Sequence, residues 1–226
     1  MHELLINLAG LDFLELWDAT KATLLMLFLS LIFIVILGLP LGIAIYSFAN
    51  SKIKKQPIIY EILSFFINII RSIPFIILMI LLMPLTAIIT GTTIDVAGVI
   101  PPITVAGIAF FARLTETALN EVDSGVIEAA QSMGVGYWQM VKGVLLPEAR
   151  ASIVAAATVT SIALVDYTAV SGVIGGGGLG DLAIRYGYQR YETEIMLVTV
   201  ILLIVIVQIM QFIGNKAVIY FSKNYS

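Results

Sequence analysis

Cysteine is absent from the 226 residues, and histidine occurs once, at His2. The first absence excludes disulfides, thiol nucleophiles and cysteine metal sites. The second excludes His-based acid–base catalysis and most zinc sites, so neither a cofactor nor a metal is expected. Charge is scarce too, at 12% of residues, where a soluble domain carries about 25%. The scarcity is clustered. No Asp, Glu, Lys or Arg occurs over Ala22–Ser51, Ser72–Ile94, Val96–Ala112 or Ile195–Asn215, and Ala151–Gly172 is interrupted only by Asp166. A helix needs about 20 mostly apolar residues to cross ~30 Å of hydrocarbon. The first twenty residues carry Glu3, Asp12, Glu15 and Asp18 rather than a basic start, so no cleavable signal peptide is expected.

What is present is 60% hydrophobic and reads as an all-α integral membrane protein with five spans, at about 21–48, 58–88, 96–117, 150–171 and 194–214, in a single membrane domain covering 1–226. The second is long for one straight span, and Pro84 is expected to bend or end it, since proline lacks the N–H and clashes with the preceding turn. Leu4, Leu5, Leu8, Leu11 and Leu14 at helical spacing predict an amphipathic interfacial helix. An odd span count puts the two ends on opposite sides. Lys52, Lys54, Lys55, Arg113, Lys142, Arg150, Lys216 and Lys223 fall on one side, and Lys21, Arg185 and Arg190 on the other. Lys and Arg are enriched in cytoplasmic loops. The expectation is a multi-pass cell-membrane protein with its N-terminus outside, its C-terminus in the cytoplasm and a cytoplasmic loop over about 118–149.

That loop reads EAAQSMGVGYWQMVKGVLLPEA from Glu128 to Ala149. Val126, Ala130, Met133 and Tyr137 are spaced to share one apolar helical face. Gly134 and Gly136 are expected to break that helix, and Pro147 to stop what precedes it and open span four. By composition alone the loop is an amphipathic linker on the membrane surface. Its spacing says more: E-A-A, three residues, G, nine residues, an aliphatic residue, any residue, L-P. The matching positions are Glu128, Ala129, Ala130, Gly134, Val144, Leu146 and Pro147, and the segment resembles the EAA loop of ABC importer permeases.

The resemblance implies that this helix seats in a cleft of a separate ATP-binding ABC subunit, one per permease. Arg71 to Met79 (RSIPFIILM) and Ser171 to Met196 look like the methionine-importer branch of that family. That likeness implies the type I importer arrangement of five spans per subunit, a homodimer, an extracytoplasmic substrate-binding protein, and methionine or a related amino acid as cargo carried by alternating access. It implies no enzyme activity in this chain, no cofactor and no nucleic-acid partner.

Three features stand outside the loop. Gly172, Gly175–Gly178 and Gly180 lack the Gly-Lys-Ser/Thr ending of a phosphate loop and are expected to form a tightly packed turn after span four, either for close packing alone or to line the outer mouth or grip the binding protein. Arg71, before Ser72-Ile73-Pro74, either belongs to a kink that shapes the path or snorkels to the cytoplasmic interface. Asp166, with Tyr167 beside it, lies inside span four. A buried carboxylate needs a partner or water, so Asp166 either lines the path or makes a structural contact. The resemblance implies a small residue there, which makes the carboxylate a departure from the family pattern. The alternative function is a stand-alone secondary transporter with Asp166 in ion coupling. It would want broken-helix repeats and leaves the loop unexplained.

Overall fold

The computed structural model describes residues 13–50 and 53–223, and these are helical with short connections. In chain order the elements are α1 (Phe13–Ala49), α2 (Pro57–Ser72), α3 (Phe75–Thr90), α4 (Asp95–Asn120), α5 (Ser124–Ser132), α6 (Tyr137–Ile174), α7 (Gly178–Leu182) and α8 (Thr193–Lys223). Among the described residues, helices α1, α4, α6 and α8 are each long and apolar enough to cross a bilayer, and the count is five if the bent pair α2–α3 forms one broken span. Lys52 and most of the interfacial helix expected from Leu4 onward lie outside the described residues.

The break in the second span is at Ile73–Pro74, not at Pro84, which sits inside α3. A residue before proline is pushed out of the α region by the ring. Ile73 accordingly has φ −83° and ψ 125°, and Pro74 has φ −53° and ψ 136°. Pro84 loses one helical hydrogen bond, which spanning helices tolerate where neighbouring groups re-satisfy the backbone.

Two compact units divide the chain. One comprises the described part of Met1–Ile32 with Pro74–Val105 and Ser161–Met210; the other comprises Phe33–Ile73, Ala106–Thr160 and the described part of Gln211–Ser226. In the first, Met26, Leu27, Val99, Ile103, Leu164 and Leu179 are buried. In the second, Tyr46, Leu119, Ile127, Ala130, Met140, Leu145 and Ala149 form one apolar cluster, and Ile45, Ile67, Ala109 and Ala112 another. Large apolar side chains also face outward, among them Phe28 and Ile36 on α1 and Ile201, Ile204 and Phe212 on α8. Exposed apolar surface of this kind suits contact with hydrocarbon or with a partner.

Candidate coupling surface and transport path

Helix α5 begins where Asp123 accepts the Gly125 N–H at 2.6 Å, an N-cap that satisfies one of the orphan donors of the first turn. It ends at Gly134, whose φ of 72° is left-handed. There Gly134 N donates to Gln131 O at 2.9 Å and Val135 N to Ala130 O at 3.3 Å, so the last carbonyls are satisfied by a turn that glycine adopts without strain. Ile127 and Ala130, three apart, point into the cluster under the loop. Glu128, Ala129 and Met133 face outward, Met133 at 76% exposure. The face expected from Val126, Ala130, Met133 and Tyr137 is therefore divided. Ala130 is buried and Tyr137 partly so, whereas Val126 and Met133 are exposed, because the buried stripe runs through Ile127 instead.

The next turn begins α6. Gly136 N donates to Gln139 Oε1 at 3.0 Å, and Tyr137 Oη donates to Ser47 Oγ at 3.2 Å, tying the loop to α1. Trp138 is 68% exposed, with Lys142 Nζ 6.0 Å from its ring centre. Composition alone gave no signal for Trp138; only its orientation separates it from a core aromatic.

Pro147 opens the α-helical part of span four, as expected, lying in the first turn of Leu146–Ser171, but it does not stop the helical course before it. Instead α6 runs through it, and the turn before it, Val141–Leu145, is widened to π geometry, with Leu146 N donating to Val141 O. A proline clashes with the carbonyl four residues back, and one wide turn relieves that crowding without ending the helix. Leu146 packs on the loop cluster with Val144. Pro147 is half-buried at the head of the straight part of the helix.

Arg71 is exposed in the last turn of α2, next to the break. One turn earlier, Asn68 Oδ1 accepts from Arg113 Nη2 of α4 at 3.0 Å, and Arg113 also pairs with the buried Glu116. That three-residue network was not foreseen; an Asn in an apolar helix was the only signal for it.

On α6, Tyr167 stacks on Phe75 with ring centres 4.4 Å apart. Asp166 is exposed on another side of α6 and lines a cavity of about 260 Å³ with Gln208 of α8. The glycine segment is closely packed at Gly172, Gly176, Gly178 and Gly180 and open at Gly177. Asp95 N donates to Gly175 O at 2.9 Å and Leu179 N to Thr23 Oγ1 at 2.9 Å. Beyond it Arg185 donates to Asp181 at 2.7 Å, and that carboxylate raises the guanidinium above its already high ordinary value. The Tyr186 ring lies 5.0 Å from Arg185 and 4.4 Å from Arg190. Among the described residues no group of three or more Asp, Glu, His or Cys side chains could hold a metal.

Residues 38–218 match the family described as binding-protein-dependent transport system inner membrane component. A probable D-methionine transport system permease protein MetI of Vibrio cholerae is 47% identical over 182 residues, covering 80% of this chain and 81% of the relative. The methionine import system permease protein MetP of Bacillus subtilis is 40% identical over 206 residues, covering 91% of this chain and 93% of the relative. A solved structure of the MetNI methionine ABC transporter in an inward-facing conformation superposes with a TM-score of 0.87 at 41% identity, covering 89% of this chain and 93% of that one.

Proposed function

Because the chain belongs to the family of binding-protein-dependent transport system inner membrane components, we propose that it is the membrane-spanning permease subunit of an ATP-driven ABC importer for methionine or a closely related amino acid. It is not an enzyme. ATP hydrolysis belongs to a separate ATPase subunit, two copies of which serve a permease homodimer, and an extracytoplasmic binding protein delivers the cargo. The secondary-transporter alternative gives way, since family membership accounts for the loop that it left unexplained.

The observation that carries the mechanism is the build of the 118–149 region. Helix α5 exposes Glu128, Ala129 and Met133, and the following turn exposes Trp138, while Ile127, Ala130, Met140 and Leu145 root the same segment in one packed cluster with Tyr46 and Leu119. A rigid base and an outer face of mixed apolar and polar side chains suit a helix that takes force from a partner. Closure of the ATPase dimer pushes α5, and the cluster passes the displacement to the ends of α4 and α6 rather than absorbing it, since packed interiors are stiff. Glu128 faces the partner, and the small Ala129 and Gly134 let the partner surface approach the backbone. Leu146 and Pro147 set the direction in which α6 leaves the loop. Cycling between outward- and inward-open states follows ATP binding and hydrolysis. The excess of basic residues on one side supports a cytoplasmic loop and C-terminus with the N-terminus outside, and we read the whole chain as one permease domain.

The test is co-purification. No heavy atom lies within 4 Å of a Cβ built at Gly134, so Gly134→Trp projects into the docking space; its left-handed φ of 72° adds about 1–2 kcal/mol of local strain, and thermal unfolding of the variant permease separates that cost from lost docking. The variant is expected to stay folded and lose its ATPase. Recovery of the ATPase at the wild-type ratio would overturn the docking assignment.

A further inference from the structure

Asp166 and Gln208 are far apart in sequence, yet both line one cleft of about 260 Å³ between α6 and α8, whose walls include Val165, Ala169, Val200 and Val207. Both polar residues are exposed to the cleft side rather than packed away. No described residue gives Asp166 a hydrogen bond or an ion pair. A carboxylate on a spanning helix is costly against hydrocarbon and tends to face a cavity or a partner. Here a cavity is present. Its volume lies just below the ~300 Å³ at which small-molecule pockets usually begin, which suits a single amino acid and not a peptide. The chemistry of the lining is complementary to one class of molecule. A carboxylate pairs with a cation, a carboxamide donates to an anion, and aliphatic walls accept an unbranched apolar chain.

We propose that the Asp166–Gln208 cleft is a recognition station on the transport path. There Asp166 accepts hydrogen bonds from the ammonium group of the cargo, Gln208 Nε2 donates to its carboxylate, and the aliphatic wall holds its side chain. The proposal rests on the importer reading and adds to it a place in the permease that reads the zwitterionic head group. The competing occupants, hydrocarbon and a second copy of this chain covering the cleft, exclude a small water-borne cation.

The absence of native cysteine gives a clean assay. In the assembled complex, Val207→Cys is treated with a cationic (aminoethyl) or an anionic (sulfonatoethyl) methanethiosulfonate, and modification of this chain is read by mass. The cationic reagent is expected to react about tenfold faster, as a single carboxylate in a narrow site focuses cations. The difference should vanish when Asp166→Asn is added, and saturating methionine should slow the reaction. Equal rates, or no reaction with either reagent, would overturn the proposal. Uptake into liposomes supplies a second reading. Asp166→Asn is expected to lower methionine uptake by about tenfold or more, the scale of one lost charge-assisted hydrogen bond, with Asp166→Glu retaining most of it. Uptake by Asp166→Asn within twofold of wild type would also overturn it. The labelling ratio needs no ATP, so it decides the cleft even where the unaltered complex takes up no methionine, an outcome that would count against the importer reading instead.

Discussion

Arg113 on α4 donates through Nη2 to Asn68 Oδ1 on α2 at 3.0 Å, while the same guanidinium pairs with Glu116, which is 8% exposed. The network joins the helix that leads into the cytoplasmic loop to the half-span that ends at the Pro74 break. Removing one member of a buried ion pair leaves the other charged and uncompensated, which costs about 3–5 kcal/mol. Arg113→Ala is therefore expected to lower the thermal unfolding temperature of the purified permease sharply. Asn68→Ala, which leaves the ion pair intact, should cost only the ~1 kcal/mol of one hydrogen bond. Equal effects from the two would mean that the ion pair contributes nothing.

Trp138 should separate docking from folding. It is exposed and outside the apolar cluster beneath the loop, so Trp138→Ala is expected to leave permease stability unchanged. An aromatic anchor at the centre of an interface is worth about 2 kcal/mol, roughly 30-fold in affinity. Titrating detergent-solubilised permease with the ATPase subunit measures that loss directly. Affinity within threefold of wild type would place the ATPase contact elsewhere on the loop.

Gly180 tests the packing after α6. A Cβ there would sit 2.5 Å from the Ala169 Cα, against backbone that cannot rotate away. Overpacking usually costs about 1–3 kcal/mol, and Gly180→Ala is expected at the upper end of that range in thermal unfolding. A neutral result would show that the segment is loose enough to shift.

The Arg185–Asp181 pair should matter little. Asp181 raises the Arg185 value. A raised group lends stability that is complete below its unfolded value and is lost only as pH rises through its folded one. For a guanidinium that window lies far above neutrality, so no stability change from Arg185 is expected between about pH 6 and 9. Arg185 is 45% exposed on its side chain, and exposed pairs contribute about 0–1 kcal/mol. Asp181→Asn should therefore leave the melting temperature nearly unchanged at moderate salt. A drop as large as that of Arg113→Ala would contradict this.

Much of the architecture was legible because bilayer insertion acts on local sequence. Five long stretches poor in charge predicted five spans, four of which are single helices long enough to cross and the other a bent pair, and α4 at Asp95–Asn120 lies within a few residues of the expected 96–117. The loop was legible because its motif is fixed spacing. What was missed depends on how backbone strain is distributed. Pro84 and Pro74 are alike as residues, but Pro74 follows Ile73, which is free to become extended between two helices. Pro147 was expected to end a helix, and one widened turn accommodates it. Neither outcome is a property of a single residue type. Trp138 and the Asn68–Arg113–Glu116 network escaped notice for a related reason, since exposure and pairing are fixed by neighbours distant in the chain.

Membrane-crossing character, the lack of cysteine, the single histidine and the EAA pattern between the third and fourth spans can all be read along the chain. Each follows from composition or from fixed spacing, which are one-dimensional quantities. Side-chain direction emerges with folding. Folding turned Ala130 inward and Ala129 outward on adjacent positions, and it brought Asp166 and Gln208 to one cleft. The physical reason is that hydropathy reports the free energy of moving a segment into hydrocarbon, whereas the direction of a side chain around a helix is settled by the packing of elements that meet only in the folded protein.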